Sequence, residues 1–253
     1  MRTTQRKRKA EHLPAKADAG RSAPEEKQEV GHYMINIICC SISLLISAFA
    51  VVYGACHLMK KGSPLYFQLL ICAIACYSLQ ELFSLVNILC IGPDYSLNIG
   101  IMGILGTNCF MLSANCDQMD SLVDDRSEKN SRAKRLAFLA PAILLAGAVV
   151  FVLLLWDKSP ASGVLFVVLS VPGYIASYYN LKHLILPGDT LGLLNATRWC
   201  NISMLLYYFA SLLYMIALGL GLNAVTCLCG VLLSAVLFLL AVSARKGAER
   251  WVI

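Results

Sequence analysis

The chain has 253 residues, of which 58% are hydrophobic and 14% charged, with a mean hydropathy of +0.67 and a formal net charge of +6. Soluble domains run near roughly 45–50% apolar and about 25% charged, so these values exclude an ordinary water-soluble fold. The basic residues cluster in one tail and in short segments between apolar runs, the pattern of loops beside a bilayer and not of a nucleic-acid-binding face.

Residues 1–33 hold eight of the 21 Lys and Arg and almost no large apolar side chains. Such a segment buries too little surface to offset its ordering entropy, so a disordered basic tail is expected there. It is too long in its charged part for a secretory signal, and a full span follows directly. A membrane domain over 34–245 and a short cytoplasmic tail over 246–253 complete the expected organisation.

Seven apolar runs follow, using the rule that about 20 apolar residues cross the hydrocarbon core. The first covers 35–59 and stops at Lys60, Lys61 and Gly62. Pro64 opens the second, which runs to residue 91 before Gly92, Pro93 and Asp94. The third covers 97–116 and carries Gly100, Gly103 and Gly106, a small-residue face suited to close helix approach. The fourth covers 136–156 with Pro141 near its start, and the fifth covers 163–181, interrupted by Pro172 and Gly173. The sixth and seventh, 199–219 and 223–243, form a hairpin across a Gly-Leu-Gly-Leu link. In lipid only helices or closed barrels satisfy their backbone groups, and the runs lack the alternation of barrel strands. The fold class is therefore all-α, a polytopic membrane bundle of about seven transmembrane helices.

Orientation follows from the loop charges. With the amino terminus outside, the cytoplasmic segments hold twelve Lys and Arg and the outer loops only Lys158, leaving the tail aside. The expected location is the cell membrane, amino terminus out and carboxyl terminus in.

Glu81 is the most informative single residue. A carboxylate inside a span is expensive unless it faces the bundle interior or a wet cavity, so intramembrane acids mark functional sites. Asn108, Tyr174, Tyr208, Ser211 and Ser234 fall within about one helical turn of its depth at 1.5 Å per residue. Together they form a candidate polar layer near the midplane, beside the Pro172–Gly173 break. The alternative is scattered interhelical hydrogen bonding. Beyond the third span, Asp117, Asp120 and Asp124 follow i, i+3, i+7 spacing and would share one helical face. That face could hold a divalent cation or dock a basic partner, or be a solvated helix end balanced by the basic residues after it. The 117–135 loop is the expected place for a cytoplasmic protein partner.

The eleven cysteines sit almost entirely in apolar runs without zinc-ligand spacing, and read as packing residues. His57 and His183 fall near inner span ends and read as interfacial. No HExxH, GxSxG, P-loop or GxGxxG is present, so the sequence points to no cofactor and no resident metal. The Asn195 and Asn201 sequons lie on the cytoplasmic side of this topology and read as chance matches.

Seven spans with an outer amino terminus resemble the bacterial seven-helix sensor modules in span length and short linkers. That resemblance implies a sensor-like or regulatory membrane module; with only about ten residues after the last span, it would signal through a partner instead of an output domain of its own. A second expectation is a small-solute or proton-coupled transporter using Glu81, with the proline break as gate. An intramembrane enzyme ranks third, because no nucleophile–base set is visible.

Overall fold

The computed structural model describes residues 23–60, 62–90, 101–119, 131–156, 160–186 and 193–251. Its elements are α1 (Ala23–Leu58), α2 (Leu65–Cys90), α3 (Ile101–Ser113), a π-helical continuation (Ala114–Met119), α4 (Ser131–Ala137), α5 (Leu139–Leu155), α6 (Pro160–Ile185), α7 (Leu193–Leu220) and α8 (Asn223–Arg250). Six of these units are long and apolar enough to cross a membrane, α4 and α5 counting as one. Helix α3 with its π-helical turn is not among those six; it covers the described part of the expected third run, residues 97–100 lying outside the described part. The molecule is a polytopic membrane helical bundle. Large apolar side chains such as Leu45, Leu79, Leu153, Leu213 and Leu228 point outward, which only an oily surrounding rewards.

Three local departures from the sequence expectation have physical reasons. Helix α1 begins at Ala23, inside the expected tail, where Pro24 occupies the first turn and Glu25, Glu26, Lys27 and Gln28 are strong helix formers. Helix α6 is continuous through Pro172, so the expected interruption is absent. A single missing N–H is tolerated in a membrane helix when neighbouring helices surround it. The fourth run divides at Phe138 into α4 and α5, and Pro141 lies in the first turn of α5, where its lost N–H has no partner to forgo.

Packing closes a ring. Helix α1 lies between α2 and α8, α3 joins α2 to α6, and α7 joins α6 to α8, so α1, α2, α3, α6, α7 and α8 form a cycle. Helix α5 packs outside that cycle on α6 and α7. The α7–α8 hairpin turns at Gly221, whose φ of +72° suits only glycine without strain. Leu222 N–H bonds the Ala217 carbonyl at 2.9 Å and Gly221 N–H the Leu218 carbonyl at 3.1 Å, a Schellman closure of α7. At the opposite end of the bundle Trp251 stacks on Tyr66 and meets Phe67 edge-on, tying the end of α8 to the start of α2.

Candidate functional site

Tyr77, Gln80 and Glu81 recur at i, i+3 and i+4 along α2 and so share one stripe. Glycine brings α3 against that stripe. A Cβ on Gly103 would stand 2.6 Å from the Gln80 Cβ and 2.7 Å from the Cys76 carbonyl oxygen. The Thr107 hydroxyl lies 3.1 Å from the Ala73 carbonyl and 2.8 Å from that of Gly103, joining the helices through one polar group. The small-residue face expected from the sequence is thus the α2–α3 seam. Gly173 does the same for α6, since a Cβ there would lie 2.9 Å from Asn108 Oδ1 and 3.0 Å from Tyr208 Cε1.

These approaches leave a cavity of about 50 Å³ between α2, α3, α5, α6, α7 and α8. Its polar lining comes from Tyr77, Gln80, Glu81, Asn108, Ser170, Tyr174, Tyr207, Tyr208, Ser211 and Tyr214. Water needs about 10–15 Å³ of such space, so a few waters or one small molecule fit. Five of the six residues expected at this depth line it: Glu81, Asn108, Tyr174, Tyr208 and Ser211. Ser234 does not. It is fully buried one residue beyond the lining Leu233, within hydrogen-bonding reach of the Gly230 carbonyl at 3.3 Å and of the Tyr77 hydroxyl. Tyr77, Gln80, Ser170, Tyr207 and Tyr214 were missed; the α2 stripe shared with Glu81 pointed to the first two, but helix rotation hid the others.

Three lining atoms are unmet. Gln80 Oε1, Asn108 Oδ1 and the Tyr174 hydroxyl are buried with no hydrogen-bond partner among the described residues. A buried polar atom left dry costs about 1–3 kcal/mol, so the two carbonyl oxygens invite a donor from within the cavity, and the hydroxyl can give or take a hydrogen bond there. The half-buried Glu81 carboxyl is within hydrogen-bonding reach of the Tyr77 hydroxyl.

A second cavity of about 240 Å³ lies toward the α7–α8 hairpin, lined by Asn36, Cys39, Cys40, Ser43, Asn223, Thr226 and Cys227 among others. Glu81 and Tyr214 line both cavities and therefore form the wall between them. Cys227 donates its S–H to Asn36 Oδ1 at 3.1 Å. These three cysteines face a cavity, which packing alone did not anticipate. No His, Cys, Asp and Glu grouping suited to a metal ion occurs among the described residues.

A polar series runs from the first cavity toward the basic end. Tyr208 donates to the Met111 sulfur at 3.4 Å. Asn115 Nδ2 lies 3.1 Å from the Met111 carbonyl and 3.5 Å from the Met204 sulfur, and Asn115 Oδ1 lies 3.4 Å from His183 Nδ1. His183 is 3% exposed, so it belongs to the bundle interior and not to the interface the sequence suggested. His57 differs: its ring N–H donates to the Tyr53 carbonyl at 2.8 Å, a local contact at the end of α1. Asn201 is buried in α7, which removes its sequon from the surface.

The acidic stripe fares differently. Asp117 lies in the π-helical turn Ala114–Met119. Asp120 and Asp124 lie outside the described residues.

Comparison with known proteins returns no matching family model, no matching curated protein and no matching solved structure.

Proposed function

We propose that this chain is a sensor-like, regulatory membrane module whose central cavity recognises a small organic ammonium. The supporting observation is the pair of unmet carbonyl oxygens, Gln80 Oε1 and Asn108 Oδ1, facing a cavity walled by Tyr77, Tyr174, Tyr207 and Tyr208 and bordered by the Glu81 carboxyl. An ammonium brings N–H donors to both oxygens, a countercharge to Glu81 and a cation to tyrosine faces, an attraction of about 0.5–2 kcal/mol per ring. The Tyr208–Met111–Asn115–His183 series supports communication with the basic end, which the loop charges favour as the cytoplasmic side and where a partner would meet residues 117–135.

Methylammonium and ammonium are suitable probes. The purified chain in lipid nanodiscs is expected to melt at higher temperature with methylammonium than with sodium at equal ionic strength, and Asn108→Leu to abolish the difference. Equal melting in both salts removes the ammonium reading.

Transport is the second reading, favoured by one observation: Glu81 lines both cavities, so its movement would join them. Proteoliposomes separate the two. A sensor binds methylammonium without passing it, whereas a transporter admits labelled methylammonium and loses that flux in Glu81→Gln.

A further inference from the structure

Asn180 and Asn201 are both fully buried, and none of their four side-chain polar atoms has a hydrogen-bond partner among the described residues. They lie apart from the central cavity, whose lining includes neither. Each shares a helix face with a residue already on Asn115. Asn180 stands three residues before His183 on α6, and His183 Nδ1 is 3.4 Å from Asn115 Oδ1. Asn201 stands three residues before Met204 on α7, and the Met204 sulfur takes Asn115 Nδ2 at 3.5 Å. Asn115 itself belongs to the π-helical turn, an irregularity that is frequent at functional sites.

The chemistry of the unmet atoms restricts what can satisfy them. A bare cation meets two carbonyl oxygens and leaves two NH2 groups unmet; a bare anion does the reverse. The occupant must donate and accept, must be neutral, and must be small enough for residues that show no exposed surface. Internal water fits all three conditions, since buried waters make about three hydrogen bonds to otherwise unsatisfied polar groups.

We propose that Asn115, Asn180, His183 and Asn201 enclose an internal water site at the basic end of the bundle, between the π-helical turn, α6 and α7. The site is independent of what the central cavity binds. Its water satisfies the two carboxamides and extends the Tyr208–Met111–Asn115 series into a hydrated node beside His183.

Radiolytic footprinting of the wild-type chain in nanodiscs tests this directly, because radicals formed from bound water modify the side chains next to it. Met204 and His183 are expected to be oxidised despite their burial, and to carry 18O when the pulse follows equilibration in H2(18O). Oxidation of exposed Met34 and Met59 without Met204 or His183 overturns the proposal, as does modification of the buried pair without 18O. Substitution gives a second readout. Asn180→Leu and Asn201→Leu are each expected to lower the melting temperature by at least about 2 °C, with the double variant close to either single one because all disrupt one shared site. A rise in melting temperature in either single variant means the carboxamides were dry, and the proposal fails.

Discussion

The Tyr208 hydroxyl ends on the sulfur of Met111, and the carbonyl of the same methionine takes the Asn115 carboxamide. One buried residue therefore holds both ends of the polar series, with its side chain toward the cavity and its backbone toward the basic end. Met111→Leu keeps the volume and removes the sulfur acceptor, leaving the Tyr208 hydroxyl unmet at a cost of about 1–2 kcal/mol. Adding Tyr208→Phe removes the stranded donor and is expected to recover part of that loss. Strictly additive losses in a double-mutant cycle of unfolding would show that the two residues do not interact.

Two glycines give opposite expectations. Gly103→Ala places a methyl against Gln80 and the Cys76 carbonyl, and the backbone contact cannot rotate away. Separation of α2 from α3 is expected to lower stability by about 1–3 kcal/mol. Gly230→Ala meets nothing closer than 3.9 Å and is expected to stay within about 0.5 kcal/mol of the parent. Thermal unfolding in lipid-detergent micelles separates them, and similar losses at both positions would refute the α2–α3 seam.

Thr107→Val retains shape and loses the hydroxyl bond across the same seam. Interhelical hydrogen bonds in membranes average about 0.6 kcal/mol, so a small loss is expected, with Thr107→Ser nearer the parent. A loss several times larger in Thr107→Val would place the hydroxyl in a role beyond joining two helices.

The larger cavity predicts a pattern of thiol reactivity. Cys39, Cys40 and Cys227 line it, whereas Cys200 is fully buried. A small neutral methanethiosulfonate is expected to label the cavity cysteines and spare Cys200, with one label lost in Cys227→Ser. Mass spectrometry of the labelled peptides reads the result, and labelling of Cys200 ahead of Cys227 contradicts the cavity.

Much of the bundle was legible because lipid imposes a single rule: a span must be apolar along its length. That rule located the runs and, through depth-matching, brought Glu81, Asn108, Tyr174, Tyr208 and Ser211 to one level. Depth alone does not specify which way a helix is turned. Ser234 matches the level and sits behind the lining, while Tyr77 and Tyr207 face the cavity because Gly103 and Gly173 set how closely their neighbours approach. The basic end was least legible. His183, Asn180 and Asn201 each resemble an interfacial residue in sequence, and only the packing of α3 on α6 and of α6 on α7 encloses them. The π-helical turn changes the residue count per turn at Asn115, which α-helical spacing does not anticipate.

Helix α5 lies outside the ring, so α3, already beside α2, finds its second partner in the ring, α6, only after the chain has made a detour through the peripheral α4–α5 unit. During synthesis the ribosome must deliver α4, α5 and all of α6 before Asn108 can meet Gly173, and α7 before Tyr208 arrives. Until then the Glu81 carboxyl lacks the α6 and α7 walls of its cavity, and an acid left facing lipid without them is costly.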